Sequence, residues 1–117
     1  MTNEISGASL SSNQIILPAG TYYINARVPA YQVDRHKTKL RNVTDSTDTL
    51  IGSNMHVYSL DYTMAHGWIV GRFTIASQKT FEIQNRCQTT CATEGYGVNM
   101  GYSVVEVYTD VQIWKVA

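Results

Sequence analysis

The chain is 117 residues long, enough for one modest core and too short for a core plus a separate functional lobe. Nine Lys and Arg balance nine Asp and Glu to a formal charge of zero, so the broad positive field needed to hold nucleic acid or an anionic membrane is missing. No apolar run approaches the roughly 18 residues that cross a bilayer, and the opening MTNEISGASLSSNQ lacks the charged start and apolar middle of a signal peptide.

Residues 1–12 are polar and read as a linker or fibrous lead-in, followed by a single domain over 13–117. From Ile15 onward the pattern is short apolar-alternating runs broken by turn residues, which predicts an all-β chain. IIL (15–17) stops at the turn PAG (18–20). YYINARV then sets Tyr22, Ile24, Ala26 and Val28 on one face and Tyr23, Asn25 and Arg27 on the other. Pro29 cannot donate to a ladder, which predicts an edge or bulge there and a bend in the strand.

HKTKLRNVTD places Lys37, Lys39 and Arg41 on one face, opposite His36, Thr38, Leu40 and Asn42. The basic row reads as a solvated strand face, with contact to an anion or acidic sugar as the alternative. DSTD (45–48) is a turn and TLIG (49–52) a short strand. The stretch SNMHVYSLDYTMAHGW (53–68) keeps neither a strand's period nor a helix's, and reads as a long connection. Order resumes in GWIVGRFTIAS, with Ile69, Gly71, Phe73 and Ile75 facing away from Trp68, Val70, Arg72 and Thr74. In KTFEIQNRC, Phe81, Ile83, Asn85 and Cys87 oppose Glu82, Gln84 and Arg86.

Cys87 and Cys91 are about 13 Å apart along an extended strand, so they could bond only across a turn or bulge; two buried free thiols is the simpler reading. EGYGVNMGY (94–102) is a glycine-rich loop able to present aromatics. The last run, SVVEVYTDVQIWKV, alternates Val105, Val107, Val111 and Ile113 inward against Glu106, Tyr108, Asp110, Gln112 and Trp114 outward. Large aromatics on an outward face predict a subunit interface at Tyr108 and Trp114. The whole pattern fits an antiparallel β-sandwich or jelly roll.

The residues do not announce an enzyme. There is no Gly-x-Ser-x-Gly elbow, no phosphate-cradling glycine loop and no His-Glu-x-x-His, and Asp45, Asp48, Asp61 and Glu94 fall in turns with no cleft implied. His36, His56 and His66 are scattered without metal-ligand spacing, so no metal or cofactor is expected. The sequon NVT at Asn42 sits in a predicted strand and reads as coincidence.

The series LPAGTYYINARVPAY, HKTKLRNVTDSTDTLIGS, GRFTIASQKTFEIQNRCQTT and VVEVYTDVQIWKV resembles the C-terminal receptor-binding domain of bacteriophage tail fibres, over about residues 15–116. PAGTYYI, HKTKLRNVTD and GRFTI with KTFEIQ are its most specific elements. They mark strand and turn architecture and not chemistry. The resemblance implies a tumour-necrosis-factor-like jelly roll, similar to the globular heads of complement proteins, forming a homotrimer at the end of a fibre shaft. It further implies a virion protein made in the host cytoplasm, without a signal peptide, that binds surface polysaccharide or an outer-membrane protein.

Residues 53–66 and 95–102 depart from the family pattern, so receptor residues do not carry over. Sugar recognition uses aromatic faces to stack and polar side chains to bond hydroxyls, and loops choose the ligand. The candidates are therefore His56, Tyr58, Asp61, Tyr62 and His66 from the first loop, and Tyr96, Asn99 and Tyr102 from the second. Three other readings compete with a receptor-binding tip: a trimerisation knob without receptor contact, a small depolymerase, and a lectin-like or signalling jelly roll of cellular origin.

Overall fold

Strict two-residue alternation turns apolar side chains to one side of a strand, and the chain answers with two sheets that share those sides. The computed structural model describes residues 3–117. Its strands are β1 (Ser9–Ser11), β2 (Gln14–Leu17), β3 (Gly20–Tyr31), β4 (Asp34–Asn42), β5 (Thr47–Ile51), β6 (Met55–Val57), β7 (Met64–Ile75), β8 (Lys79–Cys87) and β9 (Asp110–Lys115). One sheet has the order β1-β2-β8-β4-β5, with β6 also paired to β4; the other has the order β7-β3-β9. Every pairing is antiparallel.

Leu17, Leu40 and Phe81 from the larger sheet meet Tyr22, Ile24, Ala26, Ile69, Phe73 and Ile75 from the smaller one in a single cluster. Phe73 lies between two rings, 5.7 Å from Tyr22 and 5.3 Å from Phe81. Full burial of such side chains is worth roughly 1.5–3 kcal/mol each, so this seam holds the sheets together. Tyr22 carries a polar tip into it, and its hydroxyl donates to the Pro18 carbonyl at 2.7 Å.

The alternation predicted for β3, β4 and β7 holds: His36, Thr38, Leu40 and Asn42 are buried while Arg35 and Lys37 are exposed, whereas on β8 only Phe81 of the expected inward set is buried and Cys87 is exposed. Pro29 behaves differently from its reading as a bend. Its register against His66 continues without a shift. The missing N–H is tolerated because it falls on an edge, the other half of that reading. Thr21 N and Tyr31 N bond Ala117 O and Gly95 O on the β9 side, so Pro29, an even number of residues from both, aims its nitrogen that way too. There β9 has already ended, its last partner on β3 being Arg27.

The lead-in expected over 1–12 is partly structured: Ser9–Ser11 form β1 against β2, and Ile5 and Ala8 pack on the core. The first two of those residues lie outside the described ones. The last run is shorter than its alternation predicted, since only Asp110–Lys115 pairs with β3. Val105 and Val107, expected inward, stand in solvent, Val105 at 87% exposure. Their hydrophobic period lacks a neighbouring strand to pair with, and period alone does not make a ladder. Among the described residues no helix is long and apolar enough to cross a membrane.

One glycine is required by close approach. Between β5 and β6, which both pair with β4 in the larger sheet, the chain touches both sheets, with Gly52 N bonded to Thr38 O on β4 and Ser53 N to Trp68 O on β7, both at 2.8 Å. A Cβ on Gly52 would lie 2.6 Å from Thr38 Cγ2 and 2.7 Å from Thr38 O, closer than any real side chain sits.

Candidate functional site

The β3–β4 corner gathers the loops at one end of the molecule. Gln32 and Asp34 adopt positive φ of 54° and 58°, which lets the chain reverse within three residues after Tyr31. That corner then serves as an anchor. Asp34 Oδ1 accepts from Ser59 N at 3.0 Å, and Asp34 Oδ2 accepts from the Thr89 hydroxyl, so one carboxylate ties the β6–β7 loop to the segment after β8. The Thr89 bond holds the Asp34 carboxyl below the usual carboxylate range against the opposing effect of burial, with Ser59 and nearby His56 adding to it.

Neighbouring bonds tighten the same junction. Gln32 Nε2 donates to Asp61 O at 3.2 Å, Thr89 N to Val33 O at 3.0 Å and Tyr31 N to Gly95 O at 3.0 Å. Beneath them Ala30, Val33 and Val57 form a second small core with Met55, Ala65 and Cys91 packed against it. The Tyr31 hydroxyl is pushed up by burial first, then by Glu94, Tyr62 and Cys91.

The eight residues proposed for receptor contact are distributed unevenly. Tyr58, Asp61 and Tyr62 occupy the true connection, residues 58–63, and Tyr62 is 90% exposed. Tyr96 lies beside Gly95 on the second loop and is exposed. Asn99 and Tyr102 belong to a further turn closed by Glu106, whose carboxylate accepts from Met100 N and Gly101 N at 3.0–3.2 Å. Two residues are not in loops. His56 sits on β6 opposite Arg35, and His66 sits on β7 opposite Pro29, half-buried, with burial and then Arg27 pushing its imidazole down. The irregularity read over 53–66 therefore shrinks to residues 53–54 and 58–63, because β6 is a strand of only three and too short to show a period.

Trp114 and Tyr108 separate as well. Trp114 lies on the outer face of the smaller sheet, 5.7 Å from Tyr23. Tyr108 precedes β9 and packs at Gly97, where a Cβ would meet its ring at 2.7 Å. The thiols are both free, but not buried: Cys87 is exposed at the end of β8 and Cys91 is half-buried. Asn42 of the sequon is buried, its amide exchanging two bonds with Asp45 at 2.9 and 3.0 Å.

Sequence reading passed over a groove of about 690 Å³ on the outer face of the larger sheet, lined by Arg35, Lys37, Asn54, His56, Arg86 and Gln88 together with Met55 and His36. Its composition depends on which strands are neighbours, and alternation within one strand cannot supply that. A second open depression, about 880 Å³, lies between the segment Asn3–Leu10 and β9. Among the described residues no three His, Cys, Asp or Glu side chains gather as a metal site would require.

No protein-family model matches the chain, and no curated protein matches it.

Proposed function

We propose that the chain is the non-enzymatic receptor-binding tip of a bacteriophage tail fibre, a tumour-necrosis-factor-like jelly roll that assembles as a homotrimer and attaches the virion to a bacterial surface glycan or outer-membrane protein. The observation that carries this reading is the polarity of β3. At its Gly20 end lie the first described residues, with Gly7 against Pro18, and the last, with Ala117 O bonded to Thr21 N. At its Tyr31 end lie the exposed tyrosine loops. Twelve strand residues separate the two ends by about 37 Å. A shaft reaching Asn3 would join at the first end, and the aromatic loops would face the host from the other.

The trimer draws support from the outer face of the smaller sheet. Tyr23, Trp68, Val70 and Trp114 are all exposed there, in cross-strand rows Trp114–Tyr23–Arg72, Gln112–Asn25–Val70 and Asp110–Arg27–Trp68. Exposed large apolar side chains gathered on one face are a common mark of an interaction surface, and this is what supports a subunit contact here. The alternation of strands between two antiparallel sheets is compatible with a jelly-roll winding.

Light scattering on the purified chain is expected to give the mass of three chains, and the labelled protein to bind whole bacteria or glycans from a susceptible host. Replacing residues 58–63 by a Gly/Ser loop is expected to remove that binding while leaving the trimer intact. A monomer that binds no host fraction would overturn the proposal, and a trimer whose adsorption survives the loop replacement would make it a folding knob instead.

A further inference from the structure

We infer that the outer face of the larger sheet, at Arg35, Lys37 and Arg86, is a binding site for an oxyanion, phosphate or carboxylate, carried on a bacterial-surface saccharide. The inference rests on the receptor-binding reading and names the class of sugar it prefers.

The register builds the site. Lys37 on β4 stands directly opposite Arg86 on β8, and Arg35, two residues back on the same face, stands opposite His56 on β6. Side chains directly opposite one another in an antiparallel pair have Cβ atoms about 5 Å apart, and like charges in that position destabilise the pair. Two residues further along, the same two strands avoid this cost. Lys39 faces Gln84, Arg41 faces Glu82, and Asp48 of β5 bonds both cations at 3.0 and 2.7 Å. At the Arg35 end no carboxylate does so among the described residues. Lys37 Nζ bonds only the neutral amide oxygen of Asn54, at 2.5 Å. Asp34, the acid next to Arg35, is occupied by Thr89 and Ser59.

Three exposed cations without counter-ions therefore line one open groove. Two are guanidiniums, whose planar forks match a carboxylate or phosphate in two parallel bonds, and the third is a compact ammonium. Asn54, His56 and Gln88 add groups that bond sugar hydroxyls. The groove is open on one side, which suits a charged group presented on a chain of sugars.

The test is a titration of the assembled protein at low salt, followed by amide NMR, with glucose 6-phosphate, glucuronate, inorganic phosphate and glucose. Shifts are expected at residues 35–37, 54–56 and 86–88 with the charged sugars and not with glucose. The stronger of the two sugars identifies the oxyanion, and inorganic phosphate acting as well as glucose 6-phosphate would show that the anion alone is read. R35Q/K37Q/R86Q is expected to weaken charged-sugar binding at least about tenfold, the loss of one charge-assisted contact or more, whereas K39Q leaves it unchanged. Shifts of equal size around Lys39, Arg72 and Lys115, or unaltered affinity in the triple variant, would overturn the site. Host adsorption surviving in the triple variant would remove the groove and keep the receptor reading. Charged-sugar binding at the groove without any adsorption would do the reverse.

Discussion

The two outward faces of this protein obey the same alternation and differ in chemistry, since only the smaller sheet's face sets large aromatics among its polar side chains. On the larger sheet the outward positions of β4 and β8 are Arg35, Lys37, Lys39, Arg41, Glu82, Gln84 and Arg86; on the smaller sheet those of β3, β7 and β9 include Tyr23, Trp68, Val70 and Trp114. Alternation says which side chains leave the core. Their polarity differs: charged and amide groups dominate one, while large apolar side chains stand exposed among polar ones on the other.

The largest expected effect breaks that contrast directly. W114D and V70D place a charge on the aromatic face and are expected to drop the light-scattering mass from three chains to one, while Q84D on the polar face leaves it unchanged. Equal behaviour of the two faces would mean that the aromatic rows are ordinary surface.

Where the faces are joined, G52A is the next effect in size. The new methyl would press into Thr38 Cγ2 and the Thr38 carbonyl, both at less than 3 Å, and strain the β5–β6 link that carries bonds to both sheets. Overpacking of this kind costs about 1–3 kcal/mol, to be read from urea unfolding of the variant against the parent.

Much of this fold is legible in the sequence, and the exceptions have physical causes. The inward sets Tyr22–Ile24–Ala26–Val28, Thr38–Leu40 and Ile69–Phe73–Ile75 are read correctly because twelve- and nine-residue strands repeat their period several times. Val105 and Val107 mislead because they alternate without a partner strand. β6 is missed because three residues carry no period, and the basic groove because Lys37, Arg86 and His56 come from three strands whose register is set by tertiary packing. The candidate loops are visible as tyrosine-rich irregular stretches, but their junction at Asp34 is not, since its partners Ser59 and Thr89 lie 25 and 55 residues away.

A smaller effect sits just under the polar face. His36 is buried, neither ring nitrogen has a hydrogen-bond partner among the described residues, and desolvation pushes its imidazole below the ordinary 6.5. The unfolded chain then takes up the proton first, so stability is complete above about pH 6.5 and falls as the pH drops toward the folded value. H36L removes the titration and the two unpartnered nitrogens. Its stability relative to the parent is expected to rise between pH 7.5 and pH 5 in parallel urea titrations. His66, shifted the same way, keeps a residual slope in both proteins.

The smallest effect separates the two ends of the polar face itself. Lys39 and Arg41 share Asp48, whose carboxyl is held down by Arg41 first and then Lys39, but all three side chains are partly open to water. Pairs this exposed contribute about 0.2–1 kcal/mol and are screened by salt, and Arg41 remains to hold Asp48 when Lys39 is lost. K39Q is therefore expected to lower stability by less than about 1 kcal/mol in 20 mM salt and by less still in 500 mM. K37Q should move the other way, since it relieves the repulsion with Arg86 that Asn54 cannot neutralise. Opposite signs for two lysines on one face of one strand would tie the difference to the counter-charge across the ladder; equal signs would mean that Lys37 already has a partner and that the groove lacks the unbalanced charge argued for it.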